Sequence, residues 1–110
     1  MRRFALILAL CPGLAWAQEY QRFNDDELLA ALSGRRLKYE NGASQVFEPS
    51  MFTQYFAERP SSGRWAVRDN QYCSLWPPSD LWACYQVLKS GDVIGFVGEG
   101  GDLTDGKYAD

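Results

Sequence analysis

The stretch YCSLWPPSDLWACY, residues 72–85, contains the two side chains whose type and spacing could most readily carry out chemistry, Cys73 and Cys84. Such a pair is either a redox-active dithiol or a structural disulfide. Redox-active pairs usually lie close together in sequence, beside a helix N-terminus or a positive group that lowers a thiol pKa. Here ten residues separate the cysteines, and aromatic residues flank both of them. The spacing therefore favours a structural disulfide.

The same stretch reads almost identically in both directions about PPSD, which predicts a β-hairpin centred between Pro78 and Ser79. The opposed pairs would then be Trp76–Leu81, Leu75–Trp82, Cys73–Cys84 and Tyr72–Tyr85. Directly opposed residues in a non-hydrogen-bonded pair have Cα atoms about 4.5 Å apart, within the range of about 4.4 to 6.8 Å that disulfides span. The predicted register and the predicted disulfide support each other.

Strand alternation places three aromatic side chains of the hairpin, Tyr72, Trp76 and Tyr85, on the face opposite the cysteines. Together with Trp65 on the preceding strand, they either belong to the core or line a pocket or a partner surface. The core is favoured because large aromatic residues in small domains are mostly buried. A ligand or partner surface stays open, since aromatic side chains with a polar tip suit such surfaces.

The residue inventory excludes several chemistries. The chain contains no histidine, so Ser-His-Asp and Cys-His nucleophile systems and histidine-ligated metals are excluded. GEGGDLTDG does not match the EF-hand spacing, and GFVGEGG lacks the lysine and helix of a phosphate loop. Carboxylates such as Asp69 or Asp80 remain as acid and base, but no pattern selects a pair. We therefore expect a non-enzymatic protein without a metal or cofactor.

The flanking sequence predicts a mainly β fold with one short helix (minor α+β character). NDDELLAALSG is typical of a helix that Asn24 caps, with Glu27 completing a capping box and Gly34 ending it. From Arg35 onward, period-two alternation and closely spaced turns predict an antiparallel β-meander forming a small barrel or sandwich. SMFTQYFAE fits a strand better than a helix. We expect one domain over residues 18–101 and a flexible Gly- and Asp-rich tail over residues 102–110.

The N-terminus, MRRFALILALCPGLAWA, is typical of a signal peptide over residues 1–17, cleaved after Ala17. Its apolar run is too short to span a bilayer. LALC, ending at Cys11, suggests lipidation as an alternative. Losing Arg2 and Arg3 would leave nine of the 11 basic residues against 14 acidic ones, a net charge of about −5. That balance disfavours nucleic acid and anionic membranes as partners.

The signal peptide, GRWAVRD, QYCSLW, WACYQV and the following GD turn resemble a group of uncharacterised short periplasmic two-cysteine proteins of Gram-negative bacteria. The shared outline falls on Gly63, Trp65, Cys73 and Cys84. The resemblance implies a compact exported β domain with a disulfide and no established activity. Some relatives are named dihydrodipicolinate reductase, which does not fit a chain this short without GxGxxG or histidine.

The sequence as a whole predicts a binding or interaction module that is periplasmic or secreted and contacts an envelope protein or a small ligand. Two alternatives remain. The chain is more distantly similar to small lipocalin-like periplasmic protease inhibitors, although their inhibitory N-terminal segment has no counterpart in this sequence. The second alternative is the carboxylate-dependent enzyme.

Overall fold

The computed structural model describes residues 21–110, which form an eight-stranded antiparallel β-barrel with one short helix. The elements in chain order are β1 (Gln21–Arg22), α1 (Asp25–Leu32), β2 (Arg35–Tyr39), β3 (Ser44–Phe47), β4 (Phe52–Phe56), β5 (Ser61–Arg68), β6 (Gln71–Leu75), β7 (Ala83–Ser90), β8 (Val93–Val97) and β9 (Leu103–Tyr108). The predicted mainly β class is confirmed, and of the two predicted architectures the barrel is correct. The predicted signal peptide and Cys11 lie outside the described residues.

The barrel is an up-and-down meander. Each strand from β2 to β9 pairs antiparallel with its neighbours in the chain, and pairing of β2 with β9 closes the sheet. The short β1 pairs with Leu88 and Lys89 of β7, beyond the point where β6 pairs with the same strand. No helix within residues 21–110 combines the length and apolar character needed to cross a bilayer.

Helix α1 lies against the barrel where β2 begins. The predicted capping box is present: Asn24 Oδ1 accepts a hydrogen bond from the Glu27 backbone N–H, and the Glu27 carboxylate accepts one from the Asn24 N–H, both at 2.9 Å. Leu28 and Leu32 are fully buried, whereas Leu29 is 36% exposed. The helix thus buries two leucines against one end of the barrel.

The core occupies the half of the barrel next to α1. Four aromatic rings pack there with centroid separations of 5.2 to 6.4 Å: Phe47, Trp65, Tyr72 and Phe96. The Trp65 indole N–H donates to the Glu48 carbonyl at 3.0 Å, so its polar atom is satisfied although the side chain is 1% exposed. This half is filled by side chains.

The predicted flexible tail is wrong. Residues Leu103–Tyr108 form β9, which pairs with β8 on one side and β2 on the other. At the end of β9, the Tyr108 hydroxyl donates to the Ala31 carbonyl at 2.7 Å. Beyond the strand, the Asp110 carboxylate accepts from the backbone N–H of Arg36 at 2.8 Å. The composition of this segment suggested disorder because it has little to bury. Backbone pairing along two edges orders it instead.

The hairpin register is confirmed where the strands pair and wrong beyond that point. Tyr72 opposes Tyr85, and Cys73 opposes Cys84, with which it forms the predicted disulfide. The predicted Trp76–Leu81 and Leu75–Trp82 pairs are absent, because β6 ends at Leu75 and β7 begins at Ala83. Two prolines follow Trp76 in the intervening loop, where they have no N–H to donate to a strand ladder.

Candidate functional site

A pocket of about 500 Å³ opens at the end of the barrel remote from α1. Its lining comes from strand ends and adjoining turns around the barrel: Tyr39, Glu40, Asn41, Gln45, Tyr55, Ser61, Tyr72, Ser74, Trp76, Tyr85, Phe96, Leu103, Thr104 and Asp105. Alternation along each strand explains most of these residues, since every second side chain points into the barrel. Glu40, Leu103 and Asp105 have the opposite parity and border the pocket at the ends of β2 and β9. The filled half of the barrel forms the base of this pocket.

The floor is a hydrogen-bonded polar cluster set among buried rings. The Gln45 amide accepts from the Tyr39 hydroxyl at 2.6 Å and donates to Thr53 Oγ1 at 2.9 Å and to the Tyr72 hydroxyl at 3.1 Å. Gln45 is 5% exposed, and both tyrosines are buried. Burying an amide costs little when its hydrogen bonds are made within the protein. The cluster therefore holds two phenol rings in defined positions.

The walls are half-buried aromatic side chains. The rings of Tyr55 and Trp76 stand at 80° to each other with centroids 6.3 Å apart. Tyr39 stacks on Tyr55 at 6.1 Å, and Tyr85 lies 6.0 Å from Tyr72. The Trp76 indole N–H donates to Ser74 Oγ at 3.2 Å, which fixes the orientation of the indole. The arrangement forms an aromatic box open on one side.

The buried phenols remain neutral over the physiological pH range. Burial raises the pKa of Tyr72 to about 12, an effect that hydrogen bonds from Ser74 and Gln45 only partly offset. Burial also raises the pKa of Tyr39, and the neighbouring tyrosines add to that effect. Desolvation disfavours the charged form of each group. The floor thus presents uncharged hydroxyls and rings to anything that enters.

The rim carries the charge of the pocket. Glu40 is exposed and Asp105 is half-buried, and they directly flank Tyr39 and Gly106, the last paired residues of β2 and β9 at this end. Among residues 21–110, one buried side-chain oxygen lacks a hydrogen-bond partner, and it is Asp105 Oδ1. The pocket lining contains no lysine or arginine. Both residues of the lining that carry a formal charge are therefore acidic.

The structure brings three of the four predicted surface residues together. Tyr72, Trp76 and Tyr85 line the pocket, with Tyr72 in its floor. Trp65 does not, because it lies deeper, in the core that supports the floor. Sequence reasoning missed Tyr39 and Tyr55, since they join the hairpin aromatics only when the barrel closes. One feature of the sequence could have indicated them: both tyrosines fall near strand ends that an up-and-down meander places at the same end of the barrel as the hairpin turn.

The carboxylates suggested as an acid–base pair lie at opposite ends of β6. Asp69 is in the turn before this strand, and Asp80 is in the loop after it. Five strand residues separate these ends by roughly 16 Å, beyond the separations of about 5 to 9.5 Å that carboxylate pairs use. Across the described part of the chain, no group of three His, Cys, Asp or Glu side chains is placed to hold a metal ion.

Gly63 shapes the pocket wall by having no side chain. A Cβ at this position would lie 2.5 Å from the Leu75 carbonyl oxygen and 2.7 Å from the Trp76 ring. We expect Gly63→Ala to displace Trp76 and to lower the free energy of unfolding by about 1 to 3 kcal/mol, as overpacking does. Urea denaturation followed by far-UV circular dichroism measures the loss.

Gly100→Ala is the matched control for this substitution. Its added Cβ would meet its nearest neighbour, Asp102 Oδ1, at an ordinary 3.6 Å, so it should unfold close to the wild type. Equal stability of the two variants would show that the position of the Trp76 indole does not depend on a glycine at position 63.

The chain matches no protein-family model, no curated protein and no solved structure at a level that indicates relationship.

Proposed function

We propose that this protein is an exported, non-enzymatic binding protein that takes a small, flat ligand into the open end of its barrel. The observation that carries the proposal is the pocket of about 500 Å³ with its aromatic lining. Small-molecule sites are typically concavities of about 300 to 1,000 Å³ with mostly apolar and aromatic walls and a few polar groups. The volume and the lining both fit this description.

The division of the barrel into a filled half and an open half supports the proposal further. Eight-stranded barrels are either filled by side chains or hold one small ligand. Here Trp65 and the leucines of α1 fill one half, while Tyr55, Trp76 and Tyr85 remain only half-buried in the other. A flat ligand that covers these rings removes apolar surface from water and stacks against aromatic faces, both of which favour binding.

Two features support export. The disulfide between Cys73 and Cys84 is of the kind that persists in oxidising compartments, and residues 1–17 have the order of charge, apolar run and small residues typical of a cleaved signal. The enzyme alternative receives less support, because the candidate carboxylates Asp69 and Asp80 are separated by the length of β6. Binding, rather than catalysis, is the function that the pocket supports.

Two neighbouring serines of β5 provide a direct test. Ser61 opposes Tyr55 and lines the pocket mouth, whereas Ser62 opposes Gln54 on the outer face. We expect Ser61→Trp to obstruct the mouth and weaken binding of N-phenyl-1-naphthylamine, a neutral flat dye, by at least about tenfold. Ser62→Trp should leave the affinity within about twofold of the wild type. Titration of dye fluorescence measures both affinities.

The two serine variants also control for folding. Both positions are exposed, so both proteins should show the same urea unfolding midpoint, which separates obstruction from loss of structure. Failure of the wild type to enhance dye fluorescence, or equal dye affinity in the two variants, would show that the pocket is not a binding site.

A further inference from the structure

Charge is distributed unevenly between the inside and the outside of the barrel. On the outer surface, guanidinium groups cover aromatic rings: Arg36 over Phe56, Arg64 over Phe52 and Arg68 over Trp82, each at 5.3 to 5.5 Å. The pocket lining, in contrast, includes two acidic residues, Glu40 and Asp105, and no basic residue. The aromatic rings of the pocket therefore face a space into which no lining residue brings a positive charge.

The geometry of the walls suits a positive charge. The faces of aromatic rings carry partial negative charge and attract cations that lie within about 6 Å of the ring centroid, and clusters of such rings bind quaternary ammonium groups. Tyr55 and Trp76 stand nearly perpendicular, and Tyr39 continues the Tyr55 wall at 30° to it. Two adjoining walls and a floor of rings surround the same space.

Hydrogen-bonding groups in the floor are largely engaged with one another. Gln45 uses its oxygen for Tyr39 and its nitrogen for Thr53 and Tyr72, and Ser74 Oγ accepts from Trp76. A ligand rich in N–H donors would have to compete for these acceptors. A cation whose charge is surrounded by carbon needs none of them and gains from the rings and from the nearby carboxylates of Glu40 and Asp105.

We propose that the pocket takes an organic cation of the quaternary ammonium or N-alkylated aromatic class. This inference rests on the proposed function and narrows it to a ligand class. An anion of the same size is disfavoured because it would approach Glu40 and Asp105 without a basic partner among the lining residues. Focusing of the field by the low-dielectric walls of a cleft raises the local concentration of the favoured charge.

A pair of probes with the same shape and different charge tests the proposal. Phenyltrimethylammonium and tert-butylbenzene differ by one positive charge, and each can be titrated against protein holding N-phenyl-1-naphthylamine. We expect the cation to displace the dye at a concentration roughly tenfold lower than its neutral counterpart. The preference should fall by about threefold or more in Glu40→Gln/Asp105→Asn, with tert-butylbenzene affinity unchanged. Glu58→Gln, which removes an acidic side chain outside the lining, should keep the preference.

The outcomes separate this inference from the proposed function. If the dye binds in a manner sensitive to Ser61→Trp, yet tert-butylbenzene displaces it as well as or better than the cation, the pocket is a neutral site and the cation proposal is overturned. Failure of both probes to displace the dye overturns it in the same way. If Ser61→Trp has no effect on the dye, the proposed function fails, and the cation proposal fails with it.

Discussion

Replacing Trp65 by alanine is expected to lower the free energy of unfolding by about 3 to 5 kcal/mol, the range for truncating a large buried aromatic residue. Trp65 is 1% exposed and packs edge-on against Phe47 at 5.8 Å. The substitution removes this packing and leaves the Glu48 carbonyl without its indole donor. The cavity left by the indole would lie beneath the pocket floor, where movement of the residues at the pocket rim cannot fill it. Urea denaturation followed by far-UV circular dichroism gives the free energy.

Trp82 provides the matched control for Trp65. It is 40% exposed and lies on the outer surface, with the Arg68 guanidinium over its ring. Trp82→Ala should therefore cost less than about 1 kcal/mol, in the range of surface substitutions. A Trp65→Ala variant as stable as Trp82→Ala would mean that Trp65 is not a core residue, and would favour the alternative that it belongs to a ligand or partner surface.

Removing the disulfide should have the second largest effect. In Cys73→Ala/Cys84→Ala, the unfolded chain regains the freedom that closing a short loop removes, which corresponds to about 2 to 3 kcal/mol for a sequence separation of 11. In a domain of this size, the melting temperature should fall by roughly 10 to 20 °C. Differential scanning calorimetry of the oxidised wild type and the double variant measures this difference.

Reduction of the wild type should reproduce the effect, and dithiothreitol should leave the melting temperature of the double variant unchanged. Melting of the reduced wild type within a few degrees of the oxidised form, together with an unusually oxidising potential, would support the redox interpretation of Cys73 and Cys84 instead. The burial of Cys73, which is 0% exposed, argues for the structural role, since reactive cysteines are generally accessible.

The structural elements that depend on residues close together in the sequence could be predicted from the sequence. The capping box of Asn24 and Glu27, the alternation of the strands, and the Cys73–Cys84 register all depend on residues near one another in the chain. The end of that hairpin was predicted less well, because symmetry of sequence suggested pairing up to the turn. The two prolines lie in the turn at the centre of this symmetry, and they cannot donate ladder hydrogen bonds.

The C-terminal strand shows where composition misleads. Residues 102–110 contain few apolar side chains, so their burial could not be expected to repay the entropy of ordering them. Their order comes from long-range partners: β8 and β2 supply backbone hydrogen bonds on both edges, and Gly106 allows the Tyr39 ring to lie where a Cβ would approach it at 3.0 Å. None of these partners can be identified from the segment itself.

The sequence by itself determined the helix, most of the strands and the disulfide-linked register, because each depends on local periodicity, capping or symmetry. Tertiary structure alone decided which inward-facing aromatics form the core and which form the pocket. Trp65 and Trp76 both point into the barrel, yet one is buried in the core and the other forms a wall. The two residues lie at different heights along the barrel axis. These heights follow from the closure of the barrel by β9 and from the stagger of the strands. The same closure brings Tyr39 and Tyr55 to the hairpin residues Tyr72 and Tyr85.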